Sequence, residues 1–143
     1  MRKFILFLAC SLFGCYGFSQ ELKADQVPQK IKDKVQFTFP QALDQPVSWS
    51  KEKGEYKANL TIMDTPAMIV VDTLGKIKRV ERRIHESYLP QKARTYLKSL
   101  DPNYQVVSVM QITEDKEKVS YKTVARIKTD FTFDSNGNIE EKK

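Results

Sequence analysis

The 143-residue sequence has little of what catalytic and metal centres are made from. It holds one histidine, His85, and two cysteines, Cys10 and Cys15, both in the first fifteen positions. A serine–histidine triad or a histidine-based zinc site would therefore rest on a single residue. No G-x-S-x-G elbow, P-loop or dinucleotide fingerprint occurs. No apolar run reaches the roughly 20 residues that cross a bilayer. Nor is there a strong bias in charge. The balance is 24 basic to 18 acidic residues, a net of +6 with both signs interspersed. That excess favours weak attraction to acidic partners and is too diffuse to argue for nucleic acid.

The first segment, MRKFILFLACSLFGCYGFSQ, has the anatomy of a secretory signal peptide: Arg2 and Lys3, an apolar run from Phe4 to Phe13, and a small-residue end. Gly17 and Ser19 place a cut before Gln20, which makes residues 1–19 the leader. A rival reading is a lipoprotein signal at Leu12-Phe13-Gly14-Cys15, which would leave a lipid anchor on Cys15. Phe13 is bulky for that recognition site, which favours the free form. Either way Cys15 and Cys10 offer the exported domain no disulfide, although its compartment would permit one.

What is present is a pattern that recurs. VPQKIKDKVQFTFP, residues 27–40, is followed at a constant offset of 62 by LPQKARTYLKSLDP, residues 89–102. Val27, Ile31, Val35 and Phe39 form an every-fourth apolar stripe, and Leu89, Ala93, Leu97 and Leu100 form a second. Pro28 and Pro90 fit the first turn of a helix, Pro40 and Pro102 end it, and Asp25 and Ser87 are candidate N-caps. After each helix the period changes from 3.6 to 2. Tyr56, Ala58, Leu60 and Ile62 alternate with polar residues, as do Val119, Tyr121, Thr123, Ala125 and Ile127. Lys53-Gly54, Met63 to Pro66, Asp72 to Gly75 and Asp134 to Gly137 read as turns, and residues 20–26 as a polar, mobile lead-in. Thr61 matches Thr123, Asp72 matches Asp134, and Gly75 matches Gly137, with no gap. The expectation is one α+β domain over residues 20–143. It would consist of two tandem helix-plus-antiparallel-meander repeats, about 25–86 and 87–143, with the helices on one face of antiparallel sheet.

VPQKIK, VSW, EYKANL and DTLGKI, with LPQKAR and DSNGNI in the second copy, resemble the PepSY-like family of secreted bacterial proteins, whose fold is described as similar to that of the beta-lactamase-inhibitor protein. The second copy departs from the pattern by carrying Gln111 where the first carries Trp49. The resemblance spans about residues 24–141. It implies export to the periplasm or cell surface, no enzymatic activity, no cofactor, and binding or inhibition of an envelope protein such as a peptidase. The alternative is a periplasmic carrier of a small ligand or metal, on a concave sheet lined by Trp49, Tyr56 and Tyr121.

Individual residues carry two readings each. Lys76 to Arg83, KIKRVERR, is either a charged edge strand that resists pairing or a docking surface for an acidic partner, with Arg79, Arg82 and Arg83 presenting planar guanidinium groups. Trp49 is either core or an interface anchor, with Tyr56 beside it. His85 reads as a solvated surface residue. Asp72 and Asp134 read as turn residues, because D-x-x-G is too short for a calcium loop. Glu114, Asp115 and Glu117 read as a hairpin tip. The interface candidates are thus Trp49, Tyr56, Arg79, Arg82 and Arg83, with no catalytic or metal residue.

Overall fold

A computed structural model of the chain describes residues 20–115, 118–126 and 129–142. The expected leader with Cys10 and Cys15, the tip residue Glu117 and the strand residue Ile127 lie outside the described residues.

The elements run β1 (Gln20–Leu22), α1 (Gln29–Thr38), β2 (Ser48–Glu52), β3 (Glu55–Ile62), β4 (Thr65–Val71), β5 (Ile77–Ile84), α2 (Gln91–Leu100), β6 (Val106–Glu114), β7 (Val119–Ala125), β8 (Thr129–Asp134) and β9 (Ile139–Lys142). The helices start later than the cap types suggest. Pro28 and Pro90 are themselves the N-caps, without a side-chain cap bond, and the Pro28 carbonyl accepts from the Ile31 N–H at 2.9 Å. Asp25 and Ser87 instead lie in short 3-10 turns, Ala24–Gln26 and Glu86–Tyr88, ahead of each helix. Proline fixes φ near the helical value and lacks the N–H that a first turn leaves unpaired, so it can open a helix without a cap side chain.

The nine strands of the described residues form one antiparallel sheet in the order β1-β2-β3-β4-β5-β6-β7-β8-β9. This overturns the expected pair of helix-plus-meander units. Among the described residues a single continuous sheet dominates, and the two α-helices are only 10 residues each. The joining ladder pairs β5 with β6, from Arg79 opposite Glu114 to Ile84 opposite Val109. A free four-strand meander would leave the β5 edge with unpaired N–H and C=O groups, and β6 satisfies them. β5 thereby closes the first run of strands and opens the second, as β1 does for β2.

The constant offset also fails at the level of register. Thr61 and Thr123 match in sequence, but Thr61 is exposed while Thr123 is fully buried. Side chains alternate with a period of two, so a one-residue difference in turn length sends matched positions to opposite faces.

Two cores sit on the same face of the sheet, since directly opposed residues in antiparallel pairs share a face. The first packs Val27, Ile31 and Val35 against Trp49, Ala58, Ile69 and Val71. The second packs Leu89, Ala93 and Leu97 against Val109, Phe131 and Phe133. There the Tyr96 ring meets Phe131 and Phe133 edge-on at centroid distances of 5.9 and 6.1 Å. Full burial of such side chains contributes about 1.5–3 kcal/mol each, which is what holds helices this short in place.

Candidate functional site

The basic strand is not at an edge. β5 is the fifth of nine strands, paired on both sides, so its charges do not serve edge protection. Alternation splits its arginines between the two faces. Arg82 lies opposite Ala67 and Gln111, in the row that continues to Tyr121 and Phe133, and so faces the helices. Arg79 lies opposite Val70 and Glu114, and Arg83 opposite Met110, on the other face. The three arginines do not form one cluster.

On the helix-bearing face the row around Arg82 interrupts two apolar cores. The Arg82 Nη2 donates to Gln111 Oε1 at 3.0 Å, and Nη1 approaches Met63 Sδ at 3.6 Å. A cleft of about 450 Å³ opens here, lined by Met63, Thr65, Arg82, Ile84, His85, Tyr88, Gln111 and Tyr121. A smaller hollow of about 170 Å³ on the α1 side shares Arg82 and Gln111 and adds Phe39, Ile62, Val80 and Thr113. Met63 and Tyr88 stand at the rim, 75% and 73% exposed. Met63 and Asp64 form the two-residue turn between β3 and β4, with φ of 49° and 58°. Both values are left-handed, where asparagine and glycine are the usual occupants. His85 is exposed, and its Nδ1 accepts the Ser87 backbone N–H at 3.2 Å. That bond leaves Nε2 to carry the proton of the neutral ring.

The opposite face carries no helix among the described residues. Across its middle run Met68, Glu81 and Ile112 in one row, Val70, Arg79 and Glu114 in another, and Arg83, Met110 and Lys122 in a third. Met68, Met110 and Ile112 are half-buried, and Arg83 and Lys122 are exposed. Arg79 Nε lies 2.7 Å from Glu81 Oε1, an ion pair in which the N–H is not aimed at the carboxylate. Lys57 pairs with Glu52 and holds its carboxyl below the usual range, through their hydrogen bond and then their charges.

The remaining candidates are structural in position. Trp49 is 5% and Tyr56 8% exposed, both within the α1 core. The Lys51 ammonium sits 4.8 Å from the centre of the Tyr56 ring. Asp72 and Asp134 build the same turn. Asp72 Oδ1 accepts from the N–H groups of Leu74 and Lys76, and Asp134 Oδ1 from those of Asn136 and Asn138. The Asn138 side chain and backbone, followed by the turn's other N–H groups, hold the Asp134 carboxyl below its usual range. Asp115 pairs with Lys76 at the hairpin tip and raises the lysine's pKa through that hydrogen bond. The cleft residues Gln111 and Met63 had no sequence signal as site residues, because pairing between β5, β6 and the β3–β4 turn is what brings them together.

No protein-family model matches the sequence, and no curated protein matches it. Solved structures match over most of the chain. A BLIP-like protein from Bacteroides fragilis superposes with a TM-score of 0.69 at 16% identity, over 81% of this chain and 84% of that one. The fold is BLIP-like. A DUF2874 family protein from Bacteroides uniformis gives a TM-score of 0.72 at 14% identity, over 82% of this chain and 88% of that one. A third, from Bacteroides eggerthii and described as a candidate periplasmic protein, gives 0.72 at 10% identity, over 82% and 88%. Identities this low carry the BLIP-like fold and no more, so the PepSY-like resemblance rests on sequence motifs alone.

Proposed function

We propose that the protein is a non-catalytic component of the cell envelope that binds a protein partner through the helix-free face of its sheet. The observation that carries this reading is the centre of that face. Met68, Met110 and Ile112 remain half-exposed there, with Arg83 and Lys122 flanking Met110. Glu81, which lies between Met68 and Ile112, is held in an ion pair with Arg79. Apolar side chains beside two exposed cations suit a partner with an apolar centre and acidic groups opposite Arg83 and Lys122. Strands β3 to β8 alone span roughly 24 Å at about 4.8 Å per strand, wide enough for a standard interface of about 800 Å² per partner. The leader-like first segment supports export, as does the described location of the B. eggerthii neighbour. Among the described residues no helix is long and apolar enough to cross a membrane.

A photocrosslinking residue at position 110, in cells exporting the protein, tests the reading. It is expected to trap one envelope protein, and Arg83→Glu with Lys122→Glu is expected to abolish the adduct. Equal trapping from the outer face of α2, at exposed Thr95, would overturn it, as would no adduct from 110. A hydrolase activity that copurifies and disappears on one point substitution would overturn the non-catalytic part.

A further inference from the structure

We propose that the cleft around Arg82, on the helix-bearing face of the sheet, binds a small monocarboxylate with an apolar body. The site lies on the face opposite the partner surface, so either reading can fail without the other.

The argument starts from Arg82. A guanidinium offers five N–H donors and no acceptor. Here one hydrogen bond goes to Gln111 Oε1 and a weak one to Met63 Sδ. None of the residues lining the cleft is acidic. The described ion pairs join other residues, so among the described residues Arg82 has no carboxylate partner. The neighbouring polar groups add donors. Gln111 accepts from Arg82 through its oxygen, which leaves its NH2 group to donate. His85, with Nδ1 taken by Ser87, has Nε2–H to offer, and Tyr121 contributes a hydroxyl. A half-buried cation surrounded by donors is anion chemistry.

The walls narrow the class. Met63, Ile84, Tyr88 and the Tyr121 ring are apolar surfaces around a single fixed charge. One guanidinium balances one negative charge, and its planar fork matches a carboxylate bidentately, which favours a monoanion. The volume, about 450 Å³, is within the size range of small-molecule sites and suits an acyl amino acid or a medium-chain acid. Met63, in the β3–β4 turn, sets its sulfur 3.6 Å from Arg82 Nη1 and so forms part of the apolar wall beside the charge.

Calorimetric titration of the purified protein tests this with two matched probe pairs: N-acetylphenylalanine against its amide, and decanoate against decanol. The expected result is that at least one acid binds and its neutral partner binds at least tenfold more weakly. Arg82→Met should weaken the acid tenfold or more, with Arg82→Lys retaining part of it. Arg94→Met, at an exposed α2 position outside the cleft lining, should leave it unchanged. Preference for the acyl amino acid assigns peptide C-termini as the source, and preference for decanoate assigns lipid acids. Equal binding of acid and neutral probe, no binding of either acid at millimolar concentration, or an undiminished affinity in a folded Arg82→Met variant would overturn the proposal. Thermal unfolding of each variant distinguishes a lost site from a lost fold.

Discussion

Arg82 and Gln111 face each other across the β5–β6 ladder, with Nη2 and Oε1 3.0 Å apart, in the one ladder that joins the two helix-covered regions. Their pairing places a cation where the rows on either side are apolar. Gln111→Glu would turn that hydrogen bond into an ion pair of nearly the same shape. Partly buried charge-assisted bonds are worth more than neutral ones, so stability is expected to rise by about 0.5–1 kcal/mol. The same change should remove carboxylate binding, because the new acid occupies Arg82. Denaturant unfolding and probe titration on one sample measure both.

Met63 should show the opposite trade. At φ 49° a methionine carries strain that asparagine tolerates better. Met63→Asn is expected to stabilise the protein by about 0.5–1 kcal/mol, measured by urea midpoint, while weakening any ligand that uses the rim of the cleft.

Thr123 is fully buried, and its hydroxyl has no hydrogen-bond partner. Valine has nearly the same shape without the desolvated oxygen. Thr123→Val is expected to raise stability by about 1 kcal/mol, read as a shift in the thermal midpoint of roughly 3–6 °C. Unchanged or lower stability would mean that the hydroxyl has a partner in solution.

Gly75 and Gly137 close the two Asp-x-x-Gly turns at φ 84° and 80°. A Cβ at 75 would meet only the flexible Lys30 side chain at 3.4 Å, whereas one at 137 would fall 2.7 Å from the Ala93 backbone nitrogen and 2.8 Å from Pro90 Cβ. Gly75→Ala should cost about 1–2 kcal/mol from backbone conformation. Gly137→Ala should cost about 2–4 kcal/mol, because the start of α2 must also move. Chemical denaturation of the pair separates the two contributions.

The Asp134 turn gives a pH signature. The folded state holds this carboxyl below its usual range, so the unfolded chain takes up a proton first as pH falls. The stabilisation it provides is therefore present above about pH 4, the ordinary carboxylate value, and is lost as pH falls below that toward the folded pKa. Asp134→Asn should lower stability at neutral pH and flatten the acid limb of the stability curve below about pH 4.

Local features were legible because local chemistry determines them. Val27, Ile31 and Val35, and Leu89, Ala93 and Leu97, are buried as their stripes predict, whereas Phe39 is only half-buried and Leu100, which ends the second stripe, is exposed; both Asp-x-x-Gly turns are where the residues demand them. β1 was not legible. Gln20, Glu21 and Leu22 have no strand signature, and they become a strand by pairing with Lys51, Ser50 and Trp49. The position of KIKRVERR in mid-sheet was hidden for the same reason, since strand order is decided by distant partners. So was the site. Arg82 is one of three arginines within five residues, and only register against Ala67 and Gln111 separates it from Arg79 and Arg83.

The strict agreement of strand order with chain order bears on how the molecule assembles. Every ladder joins consecutive strands, so no segment waits for a partner from the far end of the chain. Six of the eight ladders join strands only a few residues apart in sequence, while β1–β2 and β5–β6 close over a helix. Hairpins can therefore form early and the sheet can grow outward from them, with the helix-spanning closures coming late because their loops are the longest. The Arg82–Gln111 contact lies on one of these late seams, so the cleft forms only when the two halves of the sheet join.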